Sequence, residues 1–207
     1  MKMRYLRFAA PVRAHGFTML EVLVAVIVLS FGLLGMVGLQ AASIKASREA
    51  RLQAVASRLA AELGDLMRNN RTVATKTTAA ENPYLQANFS GVASVAAASP
   101  DCYAAACAGP LQTAKADIND WLNRVAGELP GAKVVVCFDT TPFDASSGLA
   151  RWPCTNTGNV VMVKLGWTRA STNRAASGAA AFFLATDDAV APSLVLPIVS
   201  MVPGASS

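Results

Sequence analysis

The segment from Phe17 to Leu39 limits what this chain can become more than any other stretch. It runs for 23 residues with Glu21 as its only charge, and Thr18 and Ser30 as its only mildly polar side chains. A helix of about 20 apolar residues crosses a bilayer, so the segment is long enough to span one. A carboxylate held in hydrocarbon costs about 2.5–3.5 kcal/mol on insertion scales. From position alone two readings of Glu21 stay open: it snorkels to the nearer interface, or it meets a partner charge inside the membrane. A cleaved secretory signal fits less well. Its apolar core is about 7–15 residues and is followed by a small-residue cleavage site, whereas here Gly16 comes before a longer run.

Charge is distributed unevenly around this span. The net charge is +5, and residues 1–16 contain Lys2, Arg4, Arg7 and Arg13 without an acid. Without those four, 14 bases face 13 acids. The basic excess therefore belongs to the leader, and the remainder shows no strong preference for DNA or acidic lipid. Bases ahead of the span place the N-terminus in the cytoplasm and residues beyond 40 outside it. The only histidine is His15, also in the leader. A chain cut after Gly16 has no imidazole, which removes Ser-His, Cys-His and histidine–metal chemistry. No nucleophile, phosphate-loop or dinucleotide motif is present, so no enzyme activity, cofactor, resident metal or small-molecule substrate is expected.

Beyond Gln40 the helix changes character. Leu52, Val55, Leu59, Leu63 and Leu66 recur at helical steps, with Arg48, Glu49, Arg51, Arg58, Glu62 and Asp65 on the other positions. One helix from Phe17 to about Asn70 is expected, packing its second half on a domain. Sustained heptads are absent, which argues against a free-standing coiled coil. Gly32, Gly35 and Gly38 interrupt the apolar half; they allow close helix packing or make that stretch easier to unwind. Residues 71–116 read mostly as loop, with Asn82-Pro83, Ser99-Pro100 and Gly109-Pro110 as turns. A short amphipathic helix is expected over Asp117–Leu129, stopped by Pro130-Gly131. Strands are expected at Lys133–Phe138, around Val161–Trp167, at Ala180–Ala185 and at Leu194–Val202, where Pro197 points to an edge or a break. The fold class is α+β: a long N-terminal helix on a small antiparallel sheet.

Cys102, Cys107, Cys137 and Cys154 all follow the span, on the side expected to be oxidising. Of the three possible connectivities, sequence proximity favours Cys102–Cys107 and Cys137–Cys154. The second would staple the loop between two strands, worth about 3 kcal/mol in the chain-entropy account. A four-thiolate zinc site fits these spacings poorly. Asp139 and Asp144 flank Thr140-Thr141-Pro142-Phe143, which lacks the alternating ligands of a calcium loop and reads as a solvated turn. Asp187-Asp188 reads as a turn, and Trp121, Trp152 and Trp167 as packing residues rather than a sugar platform.

Gly16-Phe17-Thr18-Met19-Leu20-Glu21 resembles the prepilin cleavage and methylation motif of type IV pilins and type II secretion pseudopilins. More narrowly, the chain resembles the type IV pilus modification proteins of the PilV group, which are minor pilins. The matching stretches are Glu21-Val22-Leu23-Val24-Ala25, Gly32-Leu33-Leu34-Gly35, Met67-Arg68-Asn69-Asn70, Asp120-Trp121 and Leu129-Pro130-Gly131. The resemblance implies a leader over 1–16, a membrane and filament-core helix over 17–40, its amphipathic continuation over 41–70 and an extracytoplasmic head over 71–207. It implies cleavage after Gly16 by a prepilin peptidase, N-methylation of Phe17, and Glu21 facing the terminal amine of a neighbouring subunit. It further implies an inner-membrane precursor that joins major and minor pilins in a pilus serving adhesion or twitching motility. A minor pseudopilin, a membrane-tethered adhesin or ligand-binding module and a bitopic enzyme are the alternatives.

Overall fold

The computed structural model describes residues 16–91, 101–102, 104–171, 173 and 175–200. The leader bases with His15, the Ser99-Pro100 turn and the end of the last expected strand lie outside these residues. Two compact units meet at Ser47 and Arg48. One helix, α1 (Met19–Asn69), contributes to both.

In the first unit every described side chain is exposed, from Phe17 at 82% to Leu39 at 75%. The Ser30 hydroxyl donates to the Val26 carbonyl at 2.7 Å, so this polar group is satisfied within the helix. Gly32, Gly35 and Gly38 have open space where a Cβ would stand.

The second unit is an α+β domain. After α1 come α2 (Arg71–Ala74), β1 (Gln86–Ser90), α3 (Pro110–Glu128), β2 (Lys133–Phe138) and β3 (Val160–Gly166). Then follow β4 (Arg169–Ala170), a 3-10 turn at Gly178–Ala181, β5 (Phe182–Phe183) and β6 (Leu194–Ser200). The main sheet has the order β1-β2-β3-β6, every pair antiparallel, and β4 with β5 forms a separate ribbon.

One face of the sheet takes both long helices. Ala56, Leu59, Ala60, Leu63 and Met67 of α1 and Ile118, Trp121, Leu122 and Val125 of α3 share a buried cluster with Val134, Val136, Val161, Val163 and Leu165. Gly64 lets α1 approach closely: an added Cβ would stand 3.1 Å from the Ile198 carbonyl oxygen of β6. The Trp121 indole donates to the Leu59 carbonyl at 2.8 Å, tying α3 to α1. On the opposite face Val135, Cys137 and Trp152 form a smaller cluster. All of β2 is consequently buried, so alternation between a dry and a wet face is lost there.

Several expectations need correction. The span 71–116 holds α2, β1 and the first seven residues of α3 (110–116). Gly109-Pro110 does not close a turn; it opens α3, with Gly109 at φ +131° in the N-cap position and proline in the first turn. At 180–185 a 3-10 turn and a two-residue strand replace a full strand. Pro197 does occupy an edge strand, opposite Met162 beside a register shift. Asp139 is 3% exposed, which overturns its reading as solvated.

Candidate functional site

The candidate site is the entry to α1. Gly16, Phe17 and Thr18 precede the first helical residue and are exposed. Thr18 takes the N-cap position: its hydroxyl oxygen accepts the Glu21 amide at 3.2 Å, and its carbonyl accepts the amides of Glu21 at 3.1 Å and Val22 at 3.3 Å. Thr18-Met19-Leu20-Glu21 is the threonine-x-x-glutamate pattern of a capping box, a signal that reading the run only as a span passes over. It starts the helix at Met19 rather than Phe17. Glu21 lies in the first turn, where a negative charge complements the helix dipole.

Phe17, Glu21, Val22, Ala25, Val26 and Leu29 line one groove of about 470 Å³ along this face. Among the described residues no donor reaches the Glu21 carboxylate. The arrangement therefore presents an unpaired carboxylate on an apolar helical stripe. A cationic group on another molecule can approach it there. Gly32, Gly35 and Gly38 lie on the same exposed helix, and among the described residues nothing stands within 4 Å of a Cβ at any of them.

Several ionisable groups of the second unit are held in hydrogen-bonded pairs and turns. Lys164, which alternates with Val163 and Leu165 along β3, is fully buried and donates to Asp139 Oδ2 at 2.5 Å. Burial alone would raise the Asp139 carboxyl; the Lys164 hydrogen bond and charge, with the Thr141 and Thr155 amides, hold it below its usual value. The Tyr84 hydroxyl donates to Asp117 Oδ2 at 3.0 Å. Burial, with the Asp117 charge, pushes the Tyr84 phenol up, and burial also raises Asp117. Asp144, on an exposed turn, accepts the amides and hydroxyls of Ser146 and Ser147, which lower its pKa.

Cys102 is bonded to Cys107 and Cys137 to Cys154. Ligand-type atoms of Cys137, Asp139 and Cys154 lie within 4.8 Å of one another. The two sulfurs are spent on each other, and both Asp139 oxygens already accept hydrogen bonds, so this group does not fit a metal ion. Trp121, Trp152 and Trp167 are all buried, as packing residues. Asp187 caps a turn through the Ala189 amide, while Asp188 pairs with Lys133, a contact that reading the two acids as a turn leaves out.

Residues 12–37 match the family described as the prokaryotic N-terminal methylation motif. No curated protein and no solved structure matches the chain. The motif supports a protein of the type IV pilin or pseudopilin kind and suggests a structural role. It fits, with the one long apolar helix found among the described residues near the N-terminus, an inner-membrane precursor that crosses once.

Proposed function

We propose that this chain is a minor type IV pilin of the PilV group, working in the initiation or tip of pilus assembly. The observation that carries the reading is a lone, unpaired carboxylate five residues after Gly16, on an exposed apolar helix inside a methylation motif. In this reading a prepilin peptidase cuts after Gly16 on the cytoplasmic side, and the new amine of Phe17 is methylated. Glu21 then meets the terminal amine of a neighbouring subunit. Its chief effect is on register: the pair gains little net energy after desolvation, but an unpaired buried charge penalises every wrong insertion depth. Gly32, Gly35 and Gly38 let neighbouring helices approach closely. Successive subunits make head-to-tail contacts that do not close on themselves, which generates a filament containing major and minor pilins.

Mass spectrometry of the membrane-extracted chain tests the premise. Gly16→Ala should accumulate a precursor heavier by the 16 leader residues. A Gly16→Ala chain of mature mass would end the prepilin reading.

A further inference from the structure

The Cys137–Cys154 disulfide joins β2 to the segment that leads into β3. Lys164, on β3, grips the same two segments without sulfur. Its ammonium donates to Asp139, two residues past Cys137, at 2.5 Å. It also donates to the carbonyl oxygens of Arg151 at 2.8 Å and Pro153 at 2.9 Å, the latter just before Cys154. The Trp152 carbonyl is farther, at 3.3 Å. An ammonium has three protons, and the three short contacts use all of them. Asp139 Oδ1 in turn accepts the Thr141 amide at 3.0 Å and the Thr155 hydroxyl at 3.3 Å.

The loop between these anchors is closed at its far end as well. The Asp144 amide donates to the Leu149 carbonyl at 2.8 Å, and the Arg151 amide to the Pro142 carbonyl at 3.0 Å. Every one of these bonds can form with both cysteines reduced. The Cys102–Cys107 bridge spans a separation of 5, whereas Cys137 and Cys154 are 17 apart. A longer loop costs more entropy to close, so the second pair gains more from being held.

We propose that Lys164 brings Cys154 to Cys137 and thereby selects this disulfide: the polar hub closes the loop in the reduced chain, and oxidation locks it. The oxidant is a small-molecule or protein disulfide. One cysteine thiolate attacks it, forming a mixed disulfide and releasing one thiol. The second cysteine thiolate then attacks the protein sulfur and releases the other thiol. Two protein thiols lose two electrons and two protons, and the oxidant disulfide becomes two thiols. Lys164 exchanges no electrons; it is a positioning residue. The inference is independent of the pilin reading.

Two experiments on the full chain in detergent test it. In Cys137→Ser/Cys154→Ser, hydrogen exchange at the Thr141 and Arg151 amides should stay within about threefold of the disulfide-bonded chain, since the hub fixes their opening equilibrium. Exchange at the rate of exposed loop amides would overturn the proposal. The second experiment oxidises the reduced chain with oxidised glutathione and maps peptides over time. Lys164→Met/Asp139→Leu removes both charges and so leaves no orphaned one buried. It should slow the Cys137–Cys154 bond about tenfold by lowering the effective concentration of the two thiols. The Cys102–Cys107 rate should not change. Equal Cys137–Cys154 rates in the two chains would overturn the proposal; a variant that fails to fold leaves the decision to the exchange result.

Discussion

At the scale of single residues, the buried Lys164–Asp139 pair has the largest effect for the fewest atoms. Both side chains are 0% exposed, so neither can fall back on water if the other is lost. Lys164→Met should cost about 3–5 kcal/mol, the range for leaving one charge of a buried pair unpaired, read as a lowered urea midpoint. Asp139 sits below its ordinary value of 3.8, so the folded state releases this proton more readily than the unfolded chain. Its contribution is complete above that ordinary value and is lost as pH falls through it towards the folded value. The urea midpoint of the native chain should drop over that window, and Asp139→Asn should flatten the drop. Equal slopes would assign acid sensitivity to other carboxylates. Gly166 is a second critical residue. A Cβ there would stand 2.9 Å from both Ala185 Cβ and Trp152 Cζ2, so Gly166→Ala should cost about 1–3 kcal/mol by overpacking.

Among elements, the α1–α3 contact sets apolar burial against surface charge, and the magnitudes decide between them. Arg58–Glu128 and Arg124–Glu62 bridge the two helices, but their side chains remain 34–64% exposed. Leu59 between them is fully buried. Leu59→Ala should therefore cost about 2–5 kcal/mol, and Arg58→Ala less than about 1 kcal/mol, measured by chemical denaturation. Elements whose residues alone encode their state were legible in the sequence: the valine-rich β2, the alternating β3 and the leucine stripe of α1. β1 was not, because Gln86-Ala87-Asn88-Phe89-Ser90 has one large apolar residue and a register shift against β2. The start of α3 was hidden because Gly-Pro serves equally as a turn and as a helix entry. The burial of Lys164 was not legible, because a lysine at an alternating strand position normally faces solvent. Only the loop carrying Trp152, folded over that face, makes it a core residue, and that is a tertiary fact. At the candidate site the residues of the motif were legible, while the cap at Thr18 was not drawn from them.

For the whole molecule, the dominant fact is the apolar surface exposed among the described residues of the first unit. Phe17 to Leu39 contributes large side chains that are all 47% or more exposed. A patch of that extent requires lipid or other chains around it. Glu21→Ala should leave the chain in the membrane fraction, since removing a charge favours insertion. The same change should deplete it from sheared filaments; recovery there at the native level would remove the register role of Glu21. The cap at Thr18 bears on the proposed processing. Peptidases act on extended backbone, and a bond inside a helix must first be pulled out of its hydrogen-bond ladder. Because the ladder begins beyond Phe17, the proposed cut between Gly16 and Phe17 falls on chain that is already unwound. On the proposed reading, a leader would be removed without melting a turn of the anchor, leaving a short tether ahead of the helix with which to reach another molecule.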